Sequence, residues 1–170
     1  MNTKFKFDDF EIDFRNPLGK GGFSDVYKAK EKRTGKIYAI KRVKIGDLNE
    51  EEINNMLIMN NYENSVKFYG FFKDKNLIYL IMELCDYSLD EIISEKKLNV
   101  REIKEILEQL NKVFKIMYDK AIIHRDIKPE NILELLGTYI IMEMKKFFSV
   151  MELYKKKIKM ESLLLNTEME

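Results

Sequence analysis

Eight consecutive residues carry most of the chemistry that this sequence can do: His124-Arg125-Asp126-Ile127-Lys128-Pro129-Glu130-Asn131. They include the only histidine of the chain and one of its two prolines. Asp126 offers a carboxylate, Lys128 an ammonium two residues on, and Asn131 an amide oxygen that can meet a hard cation. That spacing suits phosphoryl transfer, in which a carboxylate orients a hydroxyl, a cation steadies the moving phosphate and an amide helps to hold Mg²⁺. A polar loop ended by proline is the plainer interpretation of any shorter part of it. A second stretch, Gly19-Lys20-Gly21-Gly22-Phe23-Ser24-Asp25-Val26, fits a backbone that approaches phosphates and turns its N–H groups toward them. By itself it is equally a flexible hairpin loop.

Together these stretches resemble the eukaryotic protein kinase family of the serine/threonine type, whose catalytic loop reads H-R-D-[IL]-K-P-E-N. Tyr38-Ala39-Ile40-Lys41 stands about where that family carries its V-A-I-K lysine. The resemblance implies an α+β, bilobal kinase-like fold with a complete small lobe, a five-stranded antiparallel sheet plus one helix, and an incomplete helical large lobe. It implies ATP and Mg²⁺ as cofactors and a protein substrate presenting Ser or Thr. Asp126 is then the base, Lys128 accompanies the transferred phosphate and Asn131 holds a metal. Lys41 contacts the α- and β-phosphates and pairs with Glu52. Leu18 is a cofactor-binding residue, and Gly19, Gly21, Gly22 and Ser24 line the phosphate loop, with Ser24 replacing the third glycine. Val26, Ala39 and Leu133 enclose the adenine, Met82 gates the pocket behind it, and backbone groups of Glu83 and Cys85 bond its edge. His124 is a packing residue.

Composition agrees with one ordinary core: 170 residues, 45% hydrophobic and 35% charged. A net charge of +1 gives no argument for nucleic acid or anionic membrane. The single cysteine, Cys85, excludes an internal disulfide and suits a reducing compartment. No run approaches the roughly 18 apolar residues of a membrane span, and no signal peptide is legible at the start. These features predict a soluble, cytoplasmic protein.

The elements that must position the site follow from periodicity. Phe10, Ile12 and Phe14 alternate, and Asp25–Lys30, Ile37–Ile45, Val66–Phe72 and Leu77–Met82 complete five strands. Residues 49–60 predict a helix with Glu52, Met56 and Met59 on one face. Glu52 on that face either pairs with Lys41 or merely caps the helix with Asn49. Lys41 has its own plain alternative as a solvated strand lysine, and Cys85 as a small buried apolar residue. Ser88 and Asn99 each begin a helix with a capping box. In the second, Ile103, Ile106, Leu107, Leu110, Val113, Phe114 and Met117 form one broad apolar face. A short strand over Ala121–Ile123 leads into the catalytic loop.

Beyond Asn131 the sequence departs from the family. Strands at Ile132–Leu135 and Thr138–Met142 around Gly137 are expected, but no aspartate follows Asp126, so Asp-Phe-Gly is missing. Glu143-Met144-Lys145 falls in its place, with Glu143 a longer candidate metal ligand. Ala-Pro-Glu is missing too. The resulting division is an N-terminal extension over 1–9, a small lobe over 10–82, a linker over 83–86, a partial large lobe over 87–145 and a basic tail over 146–170. Phe147, Met151, Tyr154 and Ile158 of the tail have helical spacing, and the segment is either solvated or a basic amphipathic helix. Two functions stay open: a kinase domain with impaired activity, present as a fragment, or a non-catalytic nucleotide-binding module with a partner protein covering its incomplete large lobe.

Overall fold

The fold was obtained as a computed structural model that describes residues 5–142 except Phe23, Asn49 and Arg125, with only the backbone of Glu50 and Glu51. Glu143 to Lys145 and the tail lie outside the described residues.

Five strands, β1 (Phe10–Lys20), β2 (Ser24–Glu31), β3 (Ile37–Lys44), β4 (Phe68–Asp74) and β5 (Leu77–Met82), form one antiparallel sheet in the order β1-β2-β3-β5-β4. Alternation sends successive side chains to opposite faces. Phe10, Ala29, Tyr38, Ile40, Phe72, Tyr79 and Ile81 pack on the outer face, beneath Phe5. Their rings stack or meet edge to face, as Phe72 and Tyr79 do at 4.7 Å between centroids. Gly70 lies against the Phe5 ring. Its φ is +142°, and a Cβ there would lie 3.7 Å from the Phe5 ring, at a register shift in the β4–β5 ladder.

The inner face carries Val26, Ala39, Ile78, Leu80 and Met82, which pack with Met56 of helix α1 (Glu50–Met59). The small lobe is therefore the predicted five strands and one helix, with β4 beginning two residues later than expected.

Below it, β6 (Tyr87–Ser88), β7 (Ile132–Leu135) and β8 (Thr138–Ile141) form a second, three-stranded sheet. The β7–β8 turn uses positive φ at both Leu136 and Gly137, the twist that suits a two-residue hairpin. Helix α2 (Leu89–Glu95) starts at Ser88 and α3 (Val100–Asp119) at Asn99, each through a complete capping box. In the second, Asn99 Oδ1 accepts the Glu102 N–H at 3.0 Å and the Glu102 carboxylate accepts the Asn99 N–H at 2.8 Å.

The strand expected over Ala121–Ile123 does not form, because these residues close α3 instead. The Ile122 N–H bonds to the Met117 carbonyl at 2.7 Å and the Ala121 N–H to that of Tyr118 at 3.0 Å, a Schellman ending with Ala121 at φ +54°. Ile122 and Met117 then share one apolar cluster.

The apolar face of α3 is narrower than its sequence suggests. Ile106, Leu110, Val113 and Met117 are buried against Met59, Ile132 and Ile141, whereas Ile103 and Leu107 are 44% and 60% exposed. Much of the face expected to need a partner is thus covered within the chain. Asn64 ties the two lobes: its Nδ2 donates to the Tyr139 carbonyl at 2.8 Å, and its carbonyl accepts the Ile141 N–H at 3.1 Å.

Candidate active site

Register brings the first group of candidates together. Val26 stands opposite Lys41, and Ala39 opposite Met82, so the odd residues of β3 share the inner face with the end of the glycine loop. Lys41 is 97% buried there, and its Nζ lies 2.7 Å from Oε1 of Glu52. Between the two uses that the sequence left open for Glu52, the geometry gives it the ion pair; Asn49, the other half of the expected cap, lies outside the described residues. A buried pair of this kind holds α1 against the sheet, since either charge left alone in the interior would be costly.

Gly21 and Gly22 lie between β1 and β2, with Gly19 in the last residues of β1 and Ser24 opening β2. The Gly21 N–H bonds across the turn to the Ser24 carbonyl at 2.8 Å, and Gly19 pairs with Val26. Leu18 precedes them at 53% exposure, an apolar side chain left in solvent beside the loop. Leu133 of β7 packs in the same cluster as Val26, Ala39 and Met82. The linker between lobes is pinned at both ends, the Glu83 N–H to the Lys67 carbonyl and the Asp86 N–H to the Glu134 carbonyl, each at 2.9 Å. Burial, reinforced by the charges of Glu83, Asp86 and Glu134, pushes the Cys85 thiol up to about 12.

The catalytic loop is built around Asn131. Its Nδ2 donates to both the backbone carbonyl and Oδ2 of Asp126, at 2.8 and 3.0 Å, and its N–H bonds back to the Lys128 carbonyl at 2.9 Å. Pro129 opens the intervening 3-10 turn, Pro129–Asn131, where a missing N–H costs nothing. Lys128 Nζ stands 4.0 Å from Asp126 Oδ2. Both side chains are partly exposed.

His124 does more than the packing expected of it. It is 98% buried, its Nε2 lies 2.8 Å from the Met142 carbonyl, and its Nδ1 accepts the Asp126 N–H at 3.3 Å. An acceptor at Nδ1 places the proton on Nε2, so one neutral tautomer serves both bonds. The Met142 N–H in turn donates to the Asn131 carbonyl at 2.9 Å. The residue just before position 143 is therefore held beside Asp126 from two sides. Nothing in the spacing of the sequence signalled this clamp, because its partners lie 11 and 18 positions apart.

A cavity of about 300 Å³ lined by Phe5, Asp8, Asp9, Glu31, Lys32 and Arg33 sits beside the β2–β3 turn and includes none of the candidate site residues. Among the described residues, no group of three or more His, Cys, Asp or Glu side chains is gathered to hold a metal. No helix there is long and apolar enough to cross a membrane.

A buried lysine–glutamate pair lies beside a glycine loop, and a carboxylate is held by an asparagine on the other lobe, the arrangement that the family resemblance implied. Comparison with known proteins agrees: residues 12–137 match the model of the protein kinase domain. The chain belongs to the protein kinase family. It is 37% identical over 144 residues to calcium-dependent protein kinase 5 of Plasmodium falciparum, covering 81% of this chain and 25% of that protein. It is 35% identical over 139 residues to an Aurora kinase of Schizosaccharomyces pombe, covering 76% and 39%. With Aurora kinase B of Mus musculus the identity is 33% over 138 residues, again 76% and 39%. The chain thus spans between a quarter and two-fifths of the length of these relatives.

Proposed function

We propose that this chain carries the nucleotide-binding and catalytic-loop portion of a protein serine/threonine kinase, and that its own rate of transfer is low. The observation that carries this reading is the pairing of Lys41 with Glu52 on one lobe and of Asp126 with Asn131 on the other. In the reaction, Asp126 accepts the proton of a Ser or Thr hydroxyl as its oxygen bonds to the γ-phosphorus. The bond from that phosphorus to the β–γ bridging oxygen breaks, and ADP leaves. Lys128 neutralises charge on the moving phosphoryl group, and Lys41 holds the α- and β-phosphates.

Mg²⁺ would supply further charge neutralisation when bound. The nitrogen of Asn131 is committed to Asp126, so its Oδ1 is the atom with which it would ligate, a hard oxygen of the kind Mg²⁺ selects. Glu143, in the place of the family's aspartate, is the proposed second ligand. Its extra methylene displaces the carboxylate by on the order of 1 Å, a misplacement that costs about a hundredfold in rate. That substitution is why the transfer is read as slow.

The missing aspartate also favours a second reading, a module that binds nucleotide without turnover and works by docking a protein partner on the exposed side of α3 around Ile103 and Leu107. A cytoplasmic setting, with ATP and a reduced Cys85, suits either. The test is incubation of the full chain with γ-labelled ATP, Mg²⁺ and a panel of serine- and threonine-containing peptides. Label on hydroxyl side chains supports the kinase reading. Nucleotide bound without transfer supports the second, and no bound nucleotide removes both.

A further inference from the structure

The root of the glycine loop is clamped from the face of the sheet that the nucleotide does not touch. Asp25 follows Ser24 directly, pairs with Lys20 on one side and Arg42 on the other, and points to the outer face, opposite to Val26 and Lys41. Arg42 Nη2 donates to Asp25 Oδ2 at 2.8 Å, and the Tyr27 hydroxyl donates to the same oxygen at 3.0 Å. The guanidinium lies 5.0 Å from the centre of the Tyr27 ring and 5.6 Å from that of Phe14, and the two rings meet edge to face at 5.1 Å. One arginine thus touches side chains from β1 and β2 while standing on β3.

That stretch needs a side-chain tie. The β1–β2 ladder shifts register between Ile12 and Pro17 and again between Pro17 and Gly19, and Pro17 has no N–H to give. Beyond the shifts lie Gly19, Gly21 and Gly22, whose backbone freedom must be lost when N–H groups close on phosphates.

We propose that Arg42, Asp25, Tyr27 and Phe14 are positioning residues that fix the base of the glycine loop, so that its N–H groups are arranged for the phosphates of a nucleotide before it binds. The inference rests on the nucleotide reading above. None of the four touches the nucleotide, and in nucleotide binding the cluster acts on the phosphates and not on the purine. Because the pair is only partly exposed, at 32% and 28% for the two side chains, it is less screened than a rim ion pair.

The experiment is calorimetric titration of the full chain and its variants with MgATP and, separately, with adenosine, which fills the purine pocket but has no phosphate. Asp25→Asn and Arg42→Gln should each weaken MgATP binding by roughly fivefold and leave adenosine affinity within about twofold. The double variant should lose no more than either single one, because both remove the same tie. Arg42→Lys keeps the charge but not the planar fork, and should fall between wild type and Arg42→Gln. Its milder change keeps the test valid if Arg42→Gln unfolds. MgATP and adenosine affinities falling together, or neither falling, would overturn the inference while leaving the nucleotide reading intact. A wild-type chain that binds neither ligand would overturn that reading, and the inference with it.

Discussion

Lys41 of β3 and Glu52 of α1 meet at 2.7 Å with their side chains only 4% and 10% exposed, so the helix is fastened to the sheet by two charges that water scarcely reaches. Removing one partner leaves the other charge buried and less compensated, a change that costs up to about 3–5 kcal/mol, whereas replacing both by apolar residues is close to neutral. Lys41→Ala and Glu52→Ala should therefore each lower the midpoint of thermal unfolding by roughly 10 °C. The pair Lys41→Met with Glu52→Leu should recover most of the loss in stability while abolishing nucleotide binding. Calorimetric melting of the four chains measures this.

Ala121 ends α3 at φ +54°, a conformation that costs an alanine about 1 kcal/mol or more and a glycine almost nothing. Ala121→Gly should stabilise the protein by about 1 kcal/mol, seen as a rise in unfolding midpoint of a few degrees. Gly70→Ala should do the opposite, since its φ of +142° strains any residue with a side chain.

Much of this fold is legible in the sequence, whereas the ending of α3 at Ala121 is not. Strands, capping boxes and the β7–β8 turn were legible because each is written locally, as alternation, as Ser88 with Glu91 or Asn99 with Glu102, or as Gly137 between apolar runs. The ending of α3 was misread because Ala121-Ile122-Ile123 has strand-like composition, yet Ile122 gains more by folding back onto Met117 than by extending. Exposure of Ile103 and Leu107 was equally hidden, since a helical wheel shows an apolar face without showing how much of it a narrow sheet covers. The short strand β6 was not foreseen, because Tyr87–Ser88 acquires its strand only from Leu133 and Glu134, nearly fifty residues away. Within the site, motif spacing led to Lys41, Asp126 and Asn131, but the bonds of His124 to Met142 and the Arg42–Asp25 clamp depend on the tertiary fold.

The Cys85 thiol, raised to about 12 by burial and by Glu83, Asp86 and Glu134, is almost wholly protonated at neutral pH. Alkylation by iodoacetamide should be much slower than for a free cysteine with its pKa of about 8.5. The rate should go on climbing with pH beyond 9, where an ordinary thiol levels off. Bound ATP should slow it further, because Cys85 lies on the proposed adenine edge.

Arg42, and after it the Tyr27 hydroxyl, hold the Asp25 carboxyl below its ordinary 3.8, against the upward pull of burial. A carboxyl depressed on folding contributes stability that is fully present above its unfolded value and is lost as pH falls through the folded one. The difference in stability between wild type and Asp25→Asn should accordingly be constant from neutral pH down to about pH 5. It should then shrink steadily below 3.8, as read by urea unfolding at a series of pH values.

Comparison of the wild-type chain with Asp126→Asn tests whether Asp126 serves as the base of a phosphoryl transfer. The substitution keeps the shape of the side chain and leaves the backbone bond from Asn131 to the Asp126 carbonyl in place. Transfer of γ-label from ATP to a serine or threonine peptide should be slow in wild type. It should fall by about a hundredfold or more in the variant, with the affinity for ATP and the unfolding midpoint nearly unchanged. Label transferred equally well by both chains would contradict the account.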